Sequence, residues 1–125
     1  MLRTILYIAL GSGLGGVMRF LVSRWVQAFF GNAIFPWGTF AVNVIGCFII
    51  GVIYGAVDRG CELSPEMKAF LTVGLCGGFT TFSTFMHENY LLFNSSESPT
   101  VALYAGASFT VGLLMAYAGH WCMKV

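Results

Sequence analysis

Apolar residues dominate four stretches of the chain, at about residues 5–29, 37–57, 67–93 and 101–122, and polar residues gather in the short connections between them. A bilayer core about 30 Å thick is crossed by about 20 helical residues, so each stretch predicts one transmembrane helix. The first is interrupted by Arg19 and Arg24, and the second carries no charge at all. The third is uncharged from Ala69 to Met86 and ends in His87 and Glu88, while the fourth has His120 near its end. The connections Phe30–Pro36, Asp58–Glu66 and Asn94–Thr100 each carry Gly, Pro, Asn or Ser, the residues of turns. The expected fold is an all-α membrane protein, a single four-helix transmembrane domain over residues 1–125.

Composition agrees with that pattern. Of 125 residues, 58% are hydrophobic and 9% charged, too few charges to cover a water-soluble domain. A net charge of +1 offers no basic face for a phosphate backbone, so nucleic-acid binding is excluded, and the hydrophobicity excludes disorder. Arg3 followed by Ile5–Leu10 imitates a short secretory signal. The apolar pattern continues past Gly16 without a small-residue cleavage site, which predicts a retained helix. Four spans place both termini and the middle connection on one side, with Arg3, Arg59, Lys68 and Lys124 there against Arg24 opposite, a bias toward cytoplasmic termini.

Cys47, Cys61, Cys76 and Cys122 show no zinc-ligand spacing, and packing as small apolar side chains is expected of them. Asn94-Ser95-Ser96 matches a glycosylation acceptor but supports no function. The run Gly11-Ser12-Gly13-Leu14-Gly15-Gly16 matches a dinucleotide-binding fingerprint only by letter, because the first acidic residue downstream is Asp58 and neither a strand nor an amphipathic helix flanks it. Close helix packing explains these glycines better. The pairs Gly11/Gly15, Gly51/Gly55, Gly74/Gly78 and Ala102/Gly106 are each four apart, a spacing that lets backbones approach in lipid. So many small positions also predict packing against a second copy.

The remaining candidates are polar groups that hydrocarbon does not satisfy. Thr39, Asn43 and Gly46 share one stripe of the second span. The Asn43 amide needs partners, either as a helix-to-helix hydrogen bond or as a donor into a cavity. Arg19 keeps its charge under any plausible condition and must either snorkel to headgroups or face a wet cavity. Glu88 is either a boundary carboxylate in water or part of an ion path. In Gly77-Gly78-Phe79-Thr80-Thr81-Phe82-Ser83-Thr84-Phe85, two glycines and a cluster of hydroxyls predict a break near Gly77–Thr80. Such a break frees carbonyl oxygens able to bind a cation, or else is a simple kink. Phe82 and Phe85 are neighbours on one face with Ser83 and Thr84 pointing elsewhere; their electropositive ring edges suit an anion, although aromatic spacing of this kind also serves ordinary packing.

The run Gly77–Phe85, with Gly38-Thr39-Phe40-Ala41-Val42-Asn43 upstream and Gly15-Gly16-Val17-Met18-Arg19 in the first span, closely resembles the Fluc/CrcB fluoride channels, and the likeness extends over the whole chain. The resemblance implies an antiparallel, dual-topology homodimer in a microbial plasma (inner) membrane, with two pores along the seam between subunits. By matching position, Phe82 and Phe85 would present ring edges to fluoride and Asn43 would be an amide donor. Ser83, Thr84, Tyr104 and Ser108 would supply hydroxyls, a track that Gly112 and Ala116 do not extend. Gly77 and Thr80 would hold a structural sodium ion through backbone carbonyls. Arg19 would add positive potential at a vestibule, and Glu88 matches an acidic position of the family. The implied function is passive, fluoride-selective export giving fluoride resistance, with no enzymatic activity. Two rivals stand beside it: a small proton-coupled multidrug exporter, which needs an intramembrane carboxylate facing a large cavity, and a non-conducting subunit of a membrane complex.

Overall fold

A computed structural model describes residues 1–123, so Lys124, counted above with the basic residues of the terminal side, lies outside the described residues. The chain forms α1 (Leu2–Phe29), α2 (Trp37–Asp58), α3 (Pro65–Ala69), a π-helical segment (Phe70–Cys76), α4 (Gly77–Phe79), α5 (Ser83–Asn94) and α6 (Ser98–Cys122). Taken with the segments from Pro65 to Asn94 as one span, four helical stretches of 28, 22, 30 and 25 residues are long and apolar enough to cross a bilayer. They extend the expected ranges by a few residues, because the polar boundary residues also take helical dihedrals. Large apolar side chains such as Leu10, Phe20, Trp25, Phe109, Leu114 and Tyr117 are more than half exposed, the reverse of a water-soluble bundle and the arrangement that lipid tails favour.

Two crossings hold the bundle, and both are built on glycine. Gly11 and Gly15 are buried on α1 against the third span: a Cβ at Gly11 would lie 2.6 Å from the Phe70 carbonyl oxygen, and one at Gly15 would lie 2.9 Å from the Phe79 amide nitrogen. From the other side, Gly78 lies against Ser12 so closely that a Cβ would come within 2.6 Å of its carbonyl oxygen. The second crossing joins α2 to α6, where Gly51 and Gly55 meet the backbone at Ala116 and His120, and Gly119 meets Phe48 and Val52. Association in lipid depends on such van der Waals contact because apolar burial gives little drive there. Gly11 and Gly15 of the dinucleotide-like run in α1 thus form a packing surface, while Gly13 is exposed.

The fourth small-residue pair behaves differently. Ala102 and Gly106 are exposed, and a Cβ at Gly106 would meet nothing within 4 Å. The reason is rotational: Tyr104 is fully buried, and a residue two positions away lies about 200° around a helix. Within this chain the pair meets no other helix.

Local signals set the ends. Ser64 Oγ accepts the Met67 N–H at 3.1 Å with Pro65 at the first helical position, a side-chain cap for α3. Gln27 Oε1 of α1 accepts the Gly38 N–H at 3.0 Å, satisfying a free donor at the start of α2. Gly31 and Gly60 turn the chain with φ of 63° and 97°, conformations that favour glycine. The Asn94-Ser95-Ser96 tripeptide closes α5, with Ser95 Oγ donating to the Leu91 carbonyl at 2.8 Å. All four cysteines are free; Cys76 is buried and Cys47 half-buried, while Cys61 and Cys122 are exposed.

The third span carries a feature that hydrophobic periodicity does not reveal. Seven residues, Phe70–Cys76, are π-helical, a wider turn often found at functional positions. After the short α4, Thr80 takes φ −87° and ψ 160°, an extended conformation, and residues 80–82 lie outside helix before α5 begins at Ser83.

Candidate functional site

The non-helical stretch 80–82 is held by Asn43. Its Nδ2 donates to the Thr81 carbonyl at 3.1 Å and its Oδ1 accepts the Thr81 N–H at 2.8 Å. One amide side chain therefore gives both backbone polar groups of Thr81 a partner, which hydrocarbon would not supply. Thr81 Oγ1 accepts the Thr84 N–H at 3.2 Å and starts α5, and Thr80 Oγ1 donates back to the Cys76 carbonyl at 2.9 Å. Gly46, one turn along α2 from Asn43, is buried where any Cβ would collide with the Thr80 methyl group. The predicted stripe Thr39, Asn43, Gly46 thus faces the third span along its length.

Beside this clamp lies an open groove of about 600 Å³ lined by Asn43, Thr80, Phe82, Phe85 and Ser108 among others. Ser108 Oγ is buried without a hydrogen-bond partner, and one Asn43 N–H remains beyond the bond to Thr81. Phe82 and Phe85 stand with ring centroids 6.0 Å apart and planes inclined by 43°. Phe82 is 71% exposed, so its ring is offered outward and is not consumed in this chain's own packing. The groove is thus walled by the Asn43 amide, two phenylalanine rings and the Ser108 residue.

A second cavity, of about 670 Å³, is lined by Arg19, Ser23, Arg24, Gln27, Thr39 and Glu88 among others. Arg19 Nε donates to the Gly78 carbonyl at 3.1 Å, so the guanidinium is held at this cavity. Glu88 accepts the Thr39 hydroxyl at 3.0 Å on Oε2 and the Tyr104 hydroxyl at 2.8 Å on Oε1. Two neutral donors orient the carboxylate, which lies midway along α5 and not, as expected, where the span ends.

Tyr104 joins the two regions. Its hydroxyl is turned to Glu88, and its ring meets Phe85 edge-on with centroids 4.8 Å apart at 62°. It does not line the groove, and neither Ser83 nor Thr84 lines either cavity. Ser83 is exposed and Thr84 half-buried. Of the expected hydroxyl residues, Ser108 alone lines the groove in this chain, and Tyr104 lies behind Phe85. Asn89 belongs to none of the sequence motifs. It is 8% exposed, and its Nδ2 donates to the Phe85 carbonyl at 2.9 Å while Oδ1 has no partner. Its spacing of four from Phe85 was the available signal. Nothing local in the sequence marks Thr81 as the recipient of the Asn43 bonds.

No group of three or more His, Cys, Asp or Glu side chains could hold a metal among the described residues. Backbone oxygens are another matter. The Thr81 N–H, which a continuous helix would direct to the Gly77 carbonyl, goes to Asn43 instead, and Gly77 is exposed. A carbonyl freed in this way on an exposed residue is of the kind that suits a hard cation such as sodium.

Comparison with known proteins places this geometry in a family. Residues 6–120 match the family described as CrcB-like protein, Camphor Resistance (CrcB). A fluoride-specific ion channel FluC of Flavobacterium psychrophilum is 41% identical over 118 residues, covering 94% of each chain. One of Phocaeicola vulgatus is 42% identical over 120 residues, covering 96% of this chain and 98% of its own. One of Leptospira interrogans is 38% identical over 125 residues, covering 98% and 95%. Taken with the match to the family over nearly its whole length, these likenesses show that the chain belongs to the CrcB-like family.

Proposed function

We infer that this protein is a passive, fluoride-selective ion channel, a multi-pass membrane protein that in bacteria resides in the plasma membrane, and not an enzyme. The observation that carries the reading is the groove in which Asn43, Ser108 and the rings of Phe82 and Phe85 stand together in a chain whose relatives are named fluoride-specific channels. Fluoride is small and strongly hydrated, so its path must replace lost water with closely spaced donors and must not hold the ion too tightly to release it. A potential negative inside drives an anion outward with about 2.3 kcal/mol per charge per 100 mV. Fluoride that entered as its neutral acid would be expelled in this way, which is resistance. Purified protein in liposomes is expected to release fluoride rapidly with negligible chloride release. Proton-coupled cation movement would sink the channel in favour of an exporter, and the absence of any flux would favour a non-conducting subunit.

The finer architecture belongs to the same proposal. The groove is open on one side, and Phe82 projects from it; an antiparallel second copy would close it and yield two pores along the seam. The third span would then work as two half-helices separated at residues 80–82, with Phe82, Phe85, Asn43, Ser83, Thr84, Tyr104 and Ser108 along the fluoride route and Arg19 and Glu88 at its vestibule. Antiparallel insertion requires both orientations in one membrane, despite the bias of basic residues. Labelling Cys61 from each side of the membrane in cells is expected to modify part of the population from either side, and a single orientation would refute it.

Sodium would be held by the Gly77 and Thr80 carbonyls, where it would neutralise oxygen dipoles and tie the two copies together. Replacing sodium by a large organic cation during purification is expected to shift the protein toward monomer on size exclusion. An unchanged dimer would remove the cation from the proposal.

A further inference from the structure

We propose that Phe35, in the connection between α1 and α2, is a positioning residue for conduction: it sets the ring orientation of Phe85 by bracing Tyr104. The proposal rests on the channel reading and adds to it a residue remote from the groove. Phe35 does not line the groove. Its ring meets Tyr104 edge-on, with centroids 5.2 Å apart at 74°, and Tyr104 in turn meets Phe85 at 4.8 Å. Phe35 is itself held by Trp37 at 4.5 Å and Phe40 at 5.5 Å, both in the first turn of α2. One aromatic chain therefore runs from a connecting segment, through α6, to the ring that borders the groove.

Phe85 needs such a support. The ring torsion of phenylalanine has a broad, shallow preference, so neighbours decide whether its edge or its face is offered. That choice reverses the sign of its interaction with an anion, because the edge is electropositive and the face electronegative. Tyr104 is fully buried and pinned at its hydroxyl by Glu88, which leaves rotation and sliding of its ring as the motions available to it. Phe35 blocks these from the side. Edge-on pairs of this kind contribute beyond the area they bury, and in lipid such contacts are a large share of what orders side chains. Removing the Phe35 ring lets Tyr104 shift and Phe85 turn, without changing any group in the groove.

The test uses the full-length protein in liposomes and compares the native chain with Phe35→Leu and Phe35→Tyr. Two quantities are read: the fluoride efflux rate per conducting vesicle, and the fraction of vesicles that conduct. Phe35→Leu is expected to lower the rate about three- to tenfold, the range associated with one aromatic pair, with the conducting fraction unchanged. Phe35→Tyr keeps an aromatic edge and is expected to stay within about twofold of native, again by that range. A native rate in Phe35→Leu overturns the proposal, as does an equal loss in both variants. A fall in the conducting fraction at an unchanged rate also overturns it, since the ring would then only support folding. Absence of fluoride flux in the native protein would instead defeat the channel reading itself.

Discussion

Phe85→Ile is expected to cut fluoride efflux from liposomes at least about tenfold, the effect of about 1.4 kcal/mol on a barrier, while the purified protein keeps its oligomeric size. Phe82→Ile should do the same. Isoleucine keeps apolar bulk but has no electropositive rim, so the substitution removes the proposed interaction with the anion and leaves burial nearly intact. The two positions differ in what else they risk. Phe85 packs on Tyr104, and some of its loss could arise from a disturbed neighbour. Phe82 is 71% exposed in this chain and supports little of its fold, which makes it the cleaner test. Initial rates of fluoride release, with chloride release in parallel, decide the matter. Native rates in both variants would return the rings to ordinary packing.

The second large effect is expected at Asn43. Asn43→Leu removes both bonds to Thr81 and leaves an N–H and a carbonyl without partners inside the span. Each such group costs about 1–3 kcal/mol, so a clear fall in thermal stability in detergent and a loss of flux should appear together. Asn43→Asp separates two roles. A carboxylate still accepts the Thr81 N–H, but it cannot donate to the Thr81 carbonyl, and its negative charge lies on the proposed anion route. It should unfold at a temperature between native and Asn43→Leu if the single retained bond matters, and it should abolish fluoride flux. A leucine variant that melts with the native protein would show that the clamp does not hold the interrupted segment.

These expectations show where reading along the chain reaches and where it stops. The Asn43 amide was identifiable as a group needing partners, since hydrocarbon has none to offer. Whether it would donate into a cavity or bond another helix could not be separated, and the geometry shows a bidentate bond to Thr81 with one N–H left over. Arg19 posed a similar choice, and its bond to Gly78 is to a residue on another span that no local pattern points to. Glu88 was ambiguous because a carboxylate near a boundary can be solvated cheaply; only the approach of Thr39 and Tyr104 shows it oriented by two hydroxyls. The π-helical turn at Phe70–Cys76 left no trace in hydrophobicity, since a one-residue widening of hydrogen bonding does not alter composition. Motif resemblance supplied the identities of the groove residues, and it grouped Ser83, Thr84 and Tyr104 with Ser108 although this chain's groove takes in only the last of them.

The sequence alone determined the four apolar spans, the short turns between them and the glycine faces at which helices meet, because hydrophobic length and helical spacing are local properties that act whatever the rest of the chain does. The tertiary structure decided which polar groups meet: Asn43 with Thr81, Thr39 with Glu88, and Arg19 with Gly78 are separated by 38, 49 and 59 residues. It also decided that Ala102 and Gly106 face outward while Tyr104 turns in. Those outcomes depend on where two helices cross and how each is rotated about its axis. Neither quantity is written in any short stretch of residues.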